Sequence, residues 1–342
     1  MTDPRPSQPH GLSSRTTGLV LLLFAGGLVL FPLALTTGPS DVGANTLWEM
    51  LQGRAEPSAA LIVAEIRLPR AVLALMIGAA LAVAGVVFQG LLTNPLASPF
   101  TLGISSGAAF GASIAILLGA AALVLPVAAL VGAAATLALV FALSGGRSGL
   151  EPKNLILAGI VIGSIFSAAI SLVKSLSGES LSVIVFWIMG SLTGRGWNEV
   201  LIFLPWLAVG LAGVFVYARD LDLLCLGADH AHSSGVDVEG TRRLLLFFAS
   251  FLAAAAVAAG GVIGFVGLVV PHMVRITVGP AHRRLMVLSA LVGALLLLGA
   301  DTLGRALAGG GEIPVGVITA LVGGPFFCGL LVHKRKSREA LK

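Results

Sequence analysis

Two arginines offer the clearest chemistry in this chain. Arg67 and Arg70 stand three residues apart in Arg67-Leu68-Pro69-Arg70, so on a helix they share a face and can offer two forked guanidiniums to carboxylates. The competing reading has them snorkelling to lipid headgroups or pairing with Glu65. Arg305 follows Asp301 by four residues, a spacing that suits an internal ion pair at a helix end as well as an outward-facing cation. His230 and His232 are two apart and fall off a common helical face, and His272 follows Pro271 with no acidic neighbour, which argues against a metal site or acid–base work. Cys225 and Cys328 form no CxxC pair and read as neither disulfide nor metal ligands. No Gly-Lys dipeptide occurs, so the chain has no Walker A phosphate loop and any ATP-driven work falls to another subunit.

What must position these groups is a lipid-embedded bundle. Of 342 residues 57% are hydrophobic, 44 are glycine and only 11% are charged, too few charges to cover a water-soluble domain of this size. A charge at the bilayer centre is costly and a crossing needs about 20 helical residues, so charge-free stretches measure the passes. Between Arg70 and Arg147 there is no charged residue, which allows about three crossings, with breaks at Asn94-Pro95 through Pro99 and around Gly119. Single crossings fit Leu19–Leu35, Asn154–Val173, Val200–Tyr217, Leu285–Ala300 and Ile313–Val332. The stretch from Arg243 to Arg275 reads as two short crossings that reverse near Ala259-Gly260-Gly261. Leu181–Trp197 is left over as an interfacial or re-entrant segment. The fold class expected is therefore all-α, a polytopic membrane protein of about ten transmembrane helices. Residues 1–17 form a Pro/Ser-rich tail, 18–333 the membrane domain and 334–342 a basic tail, with Leu19–Leu35 kept as a helix rather than cleaved as a signal.

Most of the 21 Lys+Arg residues, including Arg242, Arg243, Arg283, Arg284 and Lys334-Arg335-Lys336, fall on one side of this topology. That side is the cytoplasm, with both termini inside, and the net charge of +5 needs no nucleic-acid partner. Arg67 and Arg70 then open the second helix on the outer side. The longest inner loop, 219–243, reads as short helices around glycine-punctuated turns; it can dock into a groove on a cytoplasmic partner or lie on the membrane. Asp301 and Glu312 stand near helix ends, which leaves a proton relay or sodium-coupled carrier little to work with, and no polar cluster suggests an embedded enzyme.

Two blocks of residues resemble a known family. The first runs Arg67-Leu-Pro-Arg70, Gly78-Ala-Ala-Leu-Ala82, Gly85, Gln89, Asn94-Pro95-Leu-Ala97, Pro99 and Leu102-Gly103-Ile-Ser-Ser-Gly-Ala108. The second runs Gly264-Phe-Val-Gly267-Leu-Val-Val-Pro271-His272, Arg275, Asp301, Arg305, Glu312-Ile-Pro314-Val-Gly316 and Gly323-Gly-Pro325. From about Arg67 to Val332 the chain is similar to the FecCD, or vitamin-B12-permease, type of permease subunit of bacterial ABC importers for iron siderophores, haem and cobalamin. A short echo between Ala84-Gly85-Val86-Val87 leading to Gly90-Leu91-Leu92 and Gly260-Gly261-Val262-Ile263 leading to Gly267-Leu268-Val269 fits an inverted repeat.

The resemblance implies a type II importer permease in the bacterial inner membrane, paired with a second copy of itself, with two cytoplasmic ATPase subunits holding ATP and Mg. A periplasmic or lipid-tethered substrate-binding protein would deliver the cargo, and this chain would hold no cofactor. It further implies that Arg67, Arg70 and Arg305 receive glutamates of the binding protein, and that Leu226, Gly227, Ala231, Gly235 and Val236 belong to the loop seated in the ATPases. A ferric siderophore is the first expectation for cargo, with haem and cobalamin next. The alternative is a secondary carrier or channel acting without ATPases.

Overall fold

With no water in the bilayer core to pair with backbone groups, a chain this apolar satisfies its amides within helices. The computed structural model describes residues 14–40, 42–121, 123–146, 149–308 and 311–339. The first part of the bundle comprises α1 (Ser14–Thr36), α2 (Ala44–Leu51), α3 (Pro57–Leu61), α4 (Leu68–Leu91), α5 (Ile104–Leu117), α6 (Val124–Ser144) and α7 (Pro152–Leu176). The second comprises α8 (Leu181–Ile188), α9 (Trp197–Val216), α10 (Ala218–Cys225), α11 (Ala228–Ser233), α12 (Val238–Gly260), α13 (Val266–Val278), α14 (His282–Leu307) and α15 (Val315–Glu339). A two-residue antiparallel pair, Gly145–Gly146 with Gly149–Leu150, joins α6 to α7.

Among the described residues seven helices are long and apolar enough to cross a membrane: α1, the run Pro57–Leu91, α6, α7, α9, α12 and α14. The shorter apolar helices α5, α13 and the first part of α15 bring the crossings to about ten, and the eight-residue α8 is the leftover segment, too short to span. The breaks at 92–103 and at Gly119, whose φ is +68°, fall where the proline and glycine signals place them.

Several boundaries differ from the sequence reading. Residues 14–17 already belong to α1, and 1–13 lie outside the described residues. The 243–275 stretch is not two equal short crossings: Asp237 accepts a hydrogen bond from the Gly240 amide and starts a 23-residue α12 at Val238, inside the expected loop. The reversal falls at 261–265, leaving a 13-residue α13. At the other end α15 continues helically through Lys334–Arg338, where the charge pattern points to a separate tail.

Helix α4 sits at the centre. In its span 78% of the most apolar window is buried, and 72% in α12, against 6% in the peripheral α1. Helices associate in lipid through close packing of small residues. A Cβ at Gly78 would lie 2.2 Å from the Gly293 carbonyl oxygen of α14, and one at Gly85 would lie 1.9 Å from that of Gly267 in α13. The two echoed segments therefore touch backbone to backbone, which no larger residue permits.

Candidate functional site

The arginines come first. Contrary to the expectation from the sequence, Arg67 and Arg70 do not open a helix; helix runs unbroken from Pro57 to Leu91. Proline at 69 lacks an amide and its ring crowds the carbonyl one turn back, and the chain absorbs this with a wide π turn over Ile62–Arg67. Both arginines thus lie more than two turns inside the helix, beyond reach of its N-terminal dipole.

They are also buried: Arg67 is 5%, Arg70 7% and Arg305 8% exposed. Neither the Glu65 pairing nor free snorkelling is seen. Arg67 donates to the Leu35 and Val42 carbonyls at 2.8 and 3.1 Å, and to Ser40 through its Oγ at 2.6 Å and its carbonyl at 3.3 Å. Arg70 forks onto Asp301, from Nε at 3.1 Å to both oxygens and from Nη2 at 2.9 Å, while its Nη1 meets Glu312 Oε1 at 2.8 Å. Arg305 donates from Nε to Asp301 Oδ2 at 3.1 Å and from Nη1 to the Thr37 carbonyl. The i,i+4 pair is therefore real, but Asp301 is shared between two guanidiniums. The sequence does not reveal that sharing, because Arg70 and Asp301 are 231 residues apart.

Three guanidiniums here face two carboxylates, so the cluster keeps an excess positive charge. Asp301 is its sealed centre, whereas the Glu312 side chain is 29% exposed at the rim. There Glu312 also accepts from Thr193 Oγ1 and lines a recess of about 510 Å³ with Trp187, Thr193, Arg195 and Pro314. Burial would raise the Glu312 carboxyl, but the hydrogen bonds from Arg70 and Thr193 outweigh it and hold the group below its usual value. Thr193 and Arg195, on the loop after α8, were missed in the sequence because nothing in their spacing ties them to Glu312.

The opposite end of the same helices carries the longest loop. Leu226 is exposed, Gly227 (φ +120°) turns the chain from α10 into α11, Ala231 is fully buried, and Gly235 (φ +87°) turns it again before Val236, whose amide bonds the Ala231 carbonyl at 3.0 Å. Both glycines have conformations that L side chains resist. Short helices around glycine turns are thus found as expected. His230 and His232 are exposed on α11.

The remaining signature positions are spread through the bundle. Gln89 donates from Nε2 to the Leu268 carbonyl at 2.9 Å, and Asn94 Oδ1 accepts from the Leu96 amide at 2.9 Å in the turn that contains Pro95. Gly103 (φ +72°) lies against Gly159 and Gly163 of α7, and Pro99 meets Gly267. Pro271 and Arg275 lie on α13 with His272, and Gly316 packs so closely that a Cβ would stand 2.1 Å from the Met189 carbonyl oxygen.

Comparison with known proteins agrees with this arrangement. The chain matches the FecCD transport family over residues 23–333. It is 44% identical over 282 residues to the cobalamin import system permease protein BtuC of Halobacterium salinarum, covering 82% of this chain and 76% of that protein. It is 40% identical over 341 residues to the hemin transport system permease protein HmuU of Yersinia pestis, covering 93% and 97%. A solved structure described as an inward-facing conformation of a metal-chelate type ABC transporter superposes with a TM-score of 0.81 at 34% identity, covering 93% of this chain and 99% of that one. By sequence and by fold the chain belongs to the FecCD transport family, as a multi-pass permease subunit of an ABC importer whose ATP is hydrolysed by a separate ATPase subunit.

Proposed function

We propose that this subunit carries a metal chelate inward across a bacterial inner membrane, with a ferric siderophore as first cargo and haem or cobalamin next. The arginine end faces the binding protein, and the loop end, with both termini, faces the cytoplasm. Two copies of the chain enclose the pathway, and two ATPases holding ATP and Mg seat against 219–237. The observation that carries this reading is the polarity of the bundle: α4 and α14 run from the positively charged cluster at one end to the glycine-turned loop at the other. The names of the relatives, spanning cobalamin and hemin import, support the cargo class.

Docking at the cluster takes a specific form. Arg67 and Arg70 are engaged internally, so an incoming carboxylate reaches Arg70 by displacing the rim group, Glu312, while Asp301 stays in place. Binding-protein affinity for the reconstituted complex tests this at low salt, where charge attraction is strongest. Glu312→Gln is expected to tighten docking several-fold and Arg67→Gln to weaken it, on the order of 1 kcal/mol each. Affinities that match wild type in both variants would remove the docking role. Uptake assays with a ferric siderophore, haem and cobalamin, each with its binding protein, decide the cargo.

A further inference from the structure

The loop end holds a joint that the sequence does not advertise. Asp222 on α10 stands 60 residues from His282, the first residue of α14, yet one of its carboxylate oxygens holds that residue twice. Oδ1 accepts the His282 backbone amide at 3.0 Å and lies 2.6 Å from the ring Nδ1. Ala281, at the start of α14, has no side chain able to cap a helix, so Asp222 supplies the cap from another element and places a negative charge at the positive end of the α14 dipole. The imidazole itself is sealed, its side chain 2% exposed, and rests on α4 at Gly90, where a Cβ would stand 2.7 Å from its Nε2. Leu221, fully buried, packs beside His282 against the same point of Gly90, and Cys225 Sγ lies 3.5 Å from the Gly90 carbonyl oxygen. Through one turn of α10 the loop is thus fastened to the ends of both α4 and α14.

Those two helices are the ones that build the arginine cluster. Arg70 and Gly90 lie about 30 Å apart along α4, and His282 and Asp301 a similar distance along α14. Between them Gly78 and Gly293 bring the backbones into contact, which leaves little freedom for one helix to slide against the other. We propose that the Asp222–His282 pair is the positioning joint through which the inner loop moves the α4–α14 pair, and with it the cluster at the far end. This rests on the reading that 219–237 seats the ATPases.

The full complex, reconstituted with its ATPases and binding protein, provides the test. Uptake per ATP hydrolysed, and the stimulation of hydrolysis by loaded binding protein relative to its absence, are measured for Asp222→Ala, Asp222→Asn and Gly235→Trp. Asp222→Ala is expected to lower both ratios about fivefold or more, the usual scale of coupling between sites. Asp222→Asn keeps an oxygen for the His282 amide and is expected to retain most of the coupling, so rescue separates a joint from a general packing defect. Should Asp222→Ala not assemble, Asp222→Asn carries the measurement, with a smaller fall in both ratios expected. Wild-type ratios in Asp222→Ala, or in Asp222→Asn where that variant alone assembles, overturn the joint, as does an equal loss in Asp222→Ala and Asp222→Asn. Gly235→Trp separates the two ideas: coupling lost there but kept in Asp222→Ala overturns the joint alone, and coupling kept in Gly235→Trp overturns the loop reading beneath it.

Discussion

Asp301 and Glu312 both bind Arg70, but removing them is expected to have different consequences. Asp301 is 2% exposed and shared by two buried guanidiniums, so Asp301→Ala leaves Arg70 with Glu312 alone and Arg305 with only the Thr37 carbonyl, and should cost about 3–5 kcal/mol, read as a loss of unfolding temperature in detergent. Glu312→Gln, at the exposed rim, should stay within about 1 kcal/mol. Glu312 also carries a pH signature. Its folded-state carboxyl lies below its unfolded value, so its contribution is complete above the unfolded value, near pH 4.3, and fades as pH falls through the folded one. Unfolding measured from pH 6 downward should therefore show an acid loss that Glu312→Gln lacks. The residue types of this cluster were legible in the sequence, and so was the Asp301–Arg305 spacing. Its burial was not, because charge pattern cannot tell a guanidinium aimed at solvent from one closed over by a carboxylate from a distant helix.

Among the helices, charge-free length found the crossings reliably, since lipid excludes charge whatever the tertiary arrangement. It failed where a helix carries charges within its length. Arg67 and Arg70 hid the first turns of the Pro57–Leu91 helix, and Arg242 and Arg243 hid the start of α12. Glycines were legible as close-packing residues but not as pairs. The Gly78–Gly293 contact is specific enough to test: Gly78→Ala places a Cβ 2.2 Å from a backbone oxygen and should cost about 1–3 kcal/mol, whereas Gly26→Ala meets nothing within 4 Å and should be neutral. Thermal unfolding of the two variants in one detergent compares them directly. Equal stability would mean that α4 and α14 part easily.

At the scale of the whole assembly, a subunit of this family works only with its ATPase, and pulling the tagged chain from its membrane in mild detergent should bring that ATPase with it in equal number. Gly235→Trp, at φ +87° in the inner loop, should reduce the recovered ATPase or uncouple it. The two segments that echo one another in the sequence pack together at Gly85 and Gly267. The chain also holds a reporter that needs no mutation. Cys225 leans on the Gly90 carbonyl, and burial pushes its thiol above the usual value, so little of it is thiolate at neutral pH. The residue is nevertheless exposed, so its alkylation starts from a measurable rate held down by the raised thiol and should quicken when the loop lifts away from Gly90. Cys328 on α15, a free thiol remote in sequence from that contact, serves as the internal standard. A maleimide added to the resting and the ATP-loaded complex would then time the opening of the inner end, cysteine against cysteine, in the native chain.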